Sequence, residues 1–412
     1  MNYGVVLHSD LNAFYASVEM MLNPTLRGKS VAVCGATEDR HGIVLAKSEL
    51  AKKAGVKTGM VNWEAKQKCP DLILVPPQYD QYLKYSRLAK AIYERFSELI
   101  EPYGMDECWV GLTPQISFTD GIVIADTIRK SMKAELGLSV SIGVSFNKIF
   151  AKLGSDMKKP NAITVITPEN FREKIWPLPA SDLLFVGRST TQKLYDRGIL
   201  TIGDIANAKP EYLQRFLGIN GIKLWKYASG LDDTPVMHKN YVSPIKSVGH
   251  GITCVADLHS DEEVWKVILA MSQDIGHKLR LYQLQANGVQ LSIRSNDLRY
   301  YQMQGQLNVS TQNAMVIADK ARNLFQERYQ WFTSVRSVTV RAINLQPEEL
   351  PEQLTLFSDS LQIERTRKLD NCLDELHRRF GKQSIIPAVL MGDLKIPARE
   401  HDIIMPGTMG RK

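Results

Sequence analysis

An apolar run over residues 3–9 stops abruptly at Asp10, and between 14 and 22 apolar positions recur at helical spacing until Asn23 and Pro24 break them. The pattern predicts a strand followed at once by a helix. Apolar runs at 31–33 and 43–46 predict two short strands, and 49–54 and 62–68 two small helices. The longest helical periodicity covers 79–100. Two short strands are expected within 105–112, a helix over 120–135, a strand over 139–144 and a helix over 147–156. Strands alternating with helices argue for an α/β or α+β layered domain. The texture changes near Pro168. Residues 171–230 read as short helices separated by glycine turns, and the polar stretch 231–244 as a linker. Residues 245–345 run strand, helix, strand, strand, helix, strand, the last strand over 334–343, an order that suggests a ferredoxin-like unit. Residues 346–412 form a tail with one helical stretch, 362–380, and neither an internal repeat nor a low-complexity segment interrupts the chain.

A chain of 412 residues has room for roughly two to four domains. Its 44% hydrophobic and 23% charged residues are ordinary for a globular protein. The formal net charge of +7 favours an anionic partner, nucleic acid or otherwise, and fits a solvated lysine-rich surface equally well. The five cysteines, at 34, 69, 108, 254 and 372, include no C-x-x-C pair, so neither a disulfide framework nor a zinc site is expected, and a reducing cytoplasm suits them. Residues 1–15 are too polar for a signal peptide, and no apolar run is long enough to span a bilayer.

Three acids change this picture. Asp10 closes one predicted strand, and Asp106 and Glu107 stand side by side at the start of another. Carboxylates brought together repel and persist where a cation compensates them. Magnesium takes such oxygen ligands together with substrate phosphates, and two ions can clamp both oxygens of a phosphoryl displacement. On these residues alone the alternative stays open that Asp10 caps the following helix and the acidic pair belongs to a turn.

The surrounding residues resemble a known family. Asp10-Leu11-Asn12-Ala13-Phe14-Tyr15, continuing to Glu19, looks like the opening motif of the Y-family, or translesion, DNA polymerases, in the bacterial UmuC-like ImpB/MucB/SamB branch. Tyr103 to Glu107 resembles its second acidic motif, Ser141 to Asn161 its third, and Gly55 to Gly59 the end of its fingers signature. The resemblance runs in order from residue 1 to about 345.

It implies an α+β right-hand polymerase: a ferredoxin-like palm (1–13 and 80–168), small fingers (14–79), a helix-hairpin-helix thumb (169–231), a linker (232–244), a ferredoxin-like little finger (245–345) and a tail (346–412). Asp10, Asp106 and Glu107, with the Leu11 carbonyl, would hold two magnesium ions, manganese being a substitute. The backbone amides of Asn12, Ala13, Phe14 and Tyr15, with Lys52 and Lys159, would bind the incoming triphosphate. Tyr15 would be the steric gate against a 2′-hydroxyl. Many members carry Tyr-Glu-Ala-Arg where this chain has Glu49-Leu50-Ala51-Lys52, which implies a looser grip, since lysine lacks arginine's planar fork. Gly187, Gly218 and Gly221 mark hairpin turns expected to hold DNA phosphates, and Lys246, His250, Arg294, Arg299, Arg336 and Arg341 are expected to touch the DNA backbone. Gln353, Leu354, Leu356 and Phe357 look like a sliding-clamp-binding peptide. The implied partners are primed template DNA, a deoxynucleoside triphosphate and the clamp, with the enzyme a cytoplasmic monomer. Two other readings are carried: a non-catalytic clamp-bound repair scaffold, and a cyclase-like palm acting on free nucleotides.

Overall fold

The computed structural model describes residues 4–37, 40, 42–350 and 360–397, the side chains of 360–363 apart. The chain divides into two compact units, one built from the residues up to 35 and 43–242, the other from those after 242 together with the stretch around Arg40.

In the first unit β1 (Val6–Leu11) leads directly into α1 (Phe14–Leu22). A small subdomain follows: β2 (Val31–Cys34), β3 (Val44–Lys47), α2 (Glu49–Lys53), α3 (Asn62–Lys68) and β4 (Ile73–Val75). The chain returns through α4 (Tyr79–Tyr93), β5 (Leu99–Pro102), β6 (Glu107–Gly111), α5 (Phe118–Leu136), β7 (Val140–Ser145), α6 (Lys148–Met157) and β8 (Ile163–Val165). The larger sheet has the order β5-β6-β1-β7-β8, the smaller β3-β2-β4. β1 is therefore central, antiparallel to β6 on one side and β7 on the other. Its Leu7 and Leu11 pack with Ile142, Val144, Tyr82 and Ile92 in one core. Five short helices complete the unit: α7 (Phe171–Ile175), α8 (Arg188–Tyr195), α9 (Ile202–Asn207), α10 (Pro210–Leu217) and α11 (Ile219–Ala228).

The helix expected over 79–100 ends at Tyr93. Apolar spacing continues through Phe96, Leu99 and Ile100, but Ser97 Oγ donates to the Gly111 carbonyl at 2.5 Å and Leu99–Pro102 pairs with β6 as an edge strand. A long-range pairing has overridden a local period. The pair of strands expected in 105–112 is one strand preceded by a turn, in which Gly104 adopts φ +87°. β4 and β8, three residues each, were not expected, although each lies in a short apolar or β-branched run, Leu72–Val75 and Ile163–Ile166.

α6 rests on β7 with almost no gap. A Cβ added to Gly143 would sit 1.9 Å from the Ala151 carbonyl oxygen and 2.7 Å from the Ser155 amide. Gly143→Ala is expected to cost at least about 3 kcal/mol, because backbone rather than a flexible side chain would have to move. Urea unfolding monitored by circular dichroism checks this.

The second unit follows the expected order: β9 (Ser247–Leu258), α12 (Asp261–Leu281), β10 (Leu284–Ser295), β11 (Tyr300–Thr311), α13 (Ala314–Arg328) and β12 (Val335–Pro347). The sheet runs β11-β10-β12-β9 with every neighbouring pair antiparallel, so each crossover helix joins two parallel strands with a third between them. Val289, Leu291, Ile293, Val338 and Val340 face α12 and α13 in one core. α14 (Ser360–Phe380) is pinned to α12: Arg280 donates to Asp374 at 2.6 and 2.9 Å, and His277 Nδ1 lies 3.0 Å from the same carboxylate. Burial pushes the Asp374 carboxyl up, but the bonds from His277 and Arg280 outweigh it and hold it below the usual range. Its contribution to docking is therefore full above about pH 4 and fades only as the pH falls further. Asp374→Asn is expected to speed amide exchange in α14 on the order of tenfold at neutral pH, with exchange in β10 unchanged.

Among the described residues no cysteine is paired, and no helix is long and apolar enough to cross a membrane.

Candidate active site

The register of β1 against β6 decides whether the acids meet. Asp10 lies opposite Glu107, and the Leu11 amide donates to the Asp106 carbonyl at 2.9 Å. Asp10, Leu11, Asp106 and Glu107 are thus gathered at one end of two adjacent strands. The electrostatics reflects the crowding. Burial, then the charges of Asp10 and Glu107, push the Asp106 carboxyl up to about 6. Burial likewise raises Asp10, against the pull of Lys159.

α6 and the segment just after it bring two lysines to this corner. Lys152 Nζ lies 2.8 Å from Glu107 Oε1, 3.7 Å from Asp10 and 3.3 Å from Asp156. Lys159 Nζ lies 2.7 Å from Asp10 Oδ2 and 2.9 Å from Asp156. Burial works against both ammoniums, but the facing carboxylates outweigh it and raise them. Lys152 escaped the sequence reading, although residues 152 and 156 stand one turn apart on α6 and Lys159 follows just past its end. His8, also missed, is fully buried on β1 two residues before Asp10. Burial, then the Lys152 charge, lower its pKa well below the ordinary value.

Among the described residues no group of three or more His, Cys, Asp or Glu stands ready-made around a metal ion. The donor set nevertheless suits a hard divalent cation: three oxygen-bearing acids meet at one strand end, and Glu107 Oε2 is buried without a hydrogen-bond partner.

Beside the acids, α1 begins without a side-chain cap, Ala13 taking φ 47°. The Asn12 amide is already donated to the Ser139 carbonyl at 2.9 Å, which corrects the expectation that it would serve an anion. The amides of Ala13, Phe14 and Tyr15 have no such backbone acceptor among the described residues. The Asn12 side chain ties Ser141 to the Asn161 amide, at 3.0 and 2.8 Å. A cavity of about 220 Å³ opens here, lined by Asn12, Ala13, Lys29, Ser48 and Glu49. Lys52 does not line it; exposed on α2, it stands 4.0 Å from Glu49. Lys47, which donates to Thr58 at 3.1 Å, is a neighbouring cation the motif comparison overlooked.

The Tyr15 ring is fixed on three sides. It stacks on Tyr82 at 4.1 Å and 9°, and meets Tyr79 and Phe14 at 6.2 and 5.6 Å. Tyr82 in turn donates to Glu19, which also receives Gln78 at 2.7 Å.

Away from this corner, Gly187 caps α8 in an extended conformation, and Gly218, at φ +63°, turns the chain between α10 and α11. At Gly221 a Cβ would meet the Leu213 carbonyl at 2.4 Å, so this glycine serves the packing of α11 on α10. In the second unit the sheet face turned from the helices carries Ser292 and Gln290 of β10, Gln302 and Gln304 of β11, and Thr339 and Ser337 of β12. Arg294 and Arg341 belong to this face by strand alternation; Arg294 stacks on Tyr300 at 4.9 Å, and Arg341 donates to Gln290 at 3.0 Å. Arg336 lies at a β-bulge, Arg299 pairs with Asp297 in the β10–β11 turn, and Lys246 is exposed just before β9. His250 departs from expectation: it sits opposite Val340 and faces Asp274 of α12 at 3.0 Å, so it lies under the sheet and not on its open face. Gln353, Leu354, Leu356 and Phe357 lie outside the described residues.

Comparison with known proteins bears on the same residues. The impB/mucB/samB family profile matches residues 9–156, and that of its C-terminal domain matches 245–356. A DNA polymerase IV of Acetivibrio thermocellus is 46% identical, with 94% of this chain and 98% of the relative aligned. A DNA polymerase IV 1 of Bacillus subtilis is 34% identical, with 92% of each covered. A solved Y-family DNA polymerase chimera has the same fold at a TM-score of 0.73 and 24% identity, covering 82% of this chain and 98% of that one.

Proposed function

Because the chain belongs to the impB/mucB/samB family, we propose that Asp10, Asp106 and Glu107 are the metal carboxylates of its active site and that the reaction is nucleotidyl transfer from a deoxynucleoside triphosphate to a primer 3′-hydroxyl. The protein is a DNA-directed DNA polymerase of the translesion type. The observation that supports the site is the β1–β6 register, which sets Asp10 against Glu107 and joins Leu11 to Asp106.

The three acids and the Leu11 carbonyl would hold two magnesium ions, with manganese as a substitute. When bound, such ions lower the pKa of the attacking hydroxyl and neutralise charge developing on the α-phosphate as pyrophosphate leaves. The chain's own groups do the rest. The uncapped start of α1 offers amides of Ala13, Phe14 and Tyr15 to the triphosphate, in the field of the helix N-terminus. Lys159, whose Nζ lies 2.7 Å from Asp10, would serve the triphosphate as a point charge on a flexible stem. Lys52 would serve as a looser, single-point contact. Tyr15 would lie under the sugar and exclude a 2′-hydroxyl.

The proposed domain roles are palm for the β5-β6-β1-β7-β8 sheet, fingers for the β3-β2-β4 subdomain, thumb for α7–α11 and little finger for β9–β12. The turns at Gly187 and Gly218 would hold DNA phosphates, and the open β9–β12 face would follow the template backbone without reading bases. The peptide at 353–357 would recruit a sliding clamp, a reading that rests on its sequence alone. A cytoplasmic monomer completes the proposal. No observation favours the non-catalytic scaffold.

Primer extension on undamaged and lesion-bearing templates tests the function. Short, distributive extension past the lesion is expected, with none when the primed template is omitted. Nucleotide cyclisation without DNA would instead support a cyclase-like palm.

A further inference from the structure

Glu107 is gripped on one side only. Its Oε1 receives Lys152 at 2.8 Å, while Oε2 faces His8 Nε2 at 3.4 Å and neither of these two atoms has a hydrogen-bond partner. Buried polar atoms are nearly always satisfied, so two orphans aimed at each other call for an explanation. His8 is well placed to supply one. Strand alternation puts it on the same face of β1 as Asp10. Its ring is fully enclosed, edge-on to Trp109 with centroids 5.2 Å apart. Its Nδ1 lies 2.8 Å from Ser155 Oγ on α6, the helix that Gly143 admits so closely to the sheet. The imidazole is held in place with its Nε2 pointing at one oxygen.

We propose that His8 is a positioning residue for Glu107: Nε2–H completes a second contact on the carboxylate and fixes the direction in which it offers its oxygens to a divalent ion. The proposal rests on the reading of Glu107 as a metal carboxylate. Ser155 sets the tautomer. Its single hydroxyl proton has two acceptors in reach, the Lys152 carbonyl at 2.7 Å and His8 Nδ1. Donation to Nδ1 leaves the proton of the neutral ring on Nε2, facing Glu107. Donation to the carbonyl moves that proton to Nδ1 and leaves a bare lone pair against the carboxylate. Two lone pairs in this position repel, so the facing Glu107 Oε2 favours the first arrangement.

Mn²⁺ binding to the full chain without DNA, read by electron paramagnetic resonance, tests the idea with two substitutions. Glutamine places its terminal amide near the position of Nε2, and asparagine near that of Nδ1. His8→Asn is expected to weaken Mn²⁺ binding on the order of tenfold, and His8→Gln to return it to within about threefold of the parent. Parent-like affinity in His8→Asn, or equal losses in the two variants, overturns the proposal. Glu107→Gln is the control: if it leaves Mn²⁺ binding unchanged, the assignment of Glu107 to the metal fails first, and His8 with it. Where a variant lowers the melting temperature, the parent chain carrying ¹⁵N-labelled histidine decides instead. A proton on His8 Nε2 whose signal moves on adding Mg²⁺ is expected; a proton on Nδ1 overturns the proposal.

Discussion

Asp106→Ala leaves a folded protein that no longer extends a primer. The expected loss is on the order of a thousandfold or more, because an interaction that neutralises charge developing at the reacting phosphate is removed. The fold should not suffer. Asp106 is a carboxyl that burial, Asp10 and Glu107 already oppose in its charged form. Taking it away relieves repulsion at a strand end, so the melting temperature should stay level or rise, the usual relation between a strained site and stability. Gel-resolved extension of a primed template, beside a thermal melt of the same preparation, measures both. Extension within tenfold of the parent would remove the two-ion reading and return Asp106 to the turn pair that the sequence left open.

Tyr15→Ala is the second large effect, and it falls on selectivity. The ring cannot retreat, since Tyr82 lies flat behind it at 4.1 Å and is itself tied to Glu19. A 2′-hydroxyl arriving over a backed surface must clash, whereas over a mobile side chain it would be accommodated. Discrimination between deoxy- and ribonucleotides is expected to fall on the order of a hundredfold, about 3 kcal/mol. Parallel extensions with each nucleotide type read the ratio directly. An unchanged ratio would mean that the sugar does not lie over Tyr15.

These two sites were unequally legible in the sequence. Asp10, Asp106, Glu107 and Tyr15 are embedded in contiguous motifs; the edge at Asn23 bounded α1 closely, whereas β1, expected to stop at Asp10, runs through it to Leu11. What supports them comes from far along the chain. Tyr79 and Tyr82 lie on α4, more than sixty residues from Tyr15, inside a helix whose period identified its buried face but not what that face met. Lys152 and His8 carried weak signals, a helical turn shared with Asp156 and a strand face shared with Asp10, which gain meaning only once α6 lies against β7. His250 failed for the converse reason: a polar side chain on a strand can take either face, and the register places this one over Asp274. The over-long reading of α4 shows the same limit, since the hydrogen bond from Ser97 to Gly111 is invisible to a local window.

The open face of the β9–β12 sheet is polar but sparingly charged. Glutamine, serine and threonine dominate it, and Arg294 and Arg341 supply its cations. If that face follows the duplex as proposed, its two arginines release about two counterions, and doubling the salt weakens the hold of the face itself only about three- to fourfold. A face with so few charges adds little electrostatic affinity. An enzyme that copies damaged bases loosely would then be confined to brief visits, and its mistakes to short tracts.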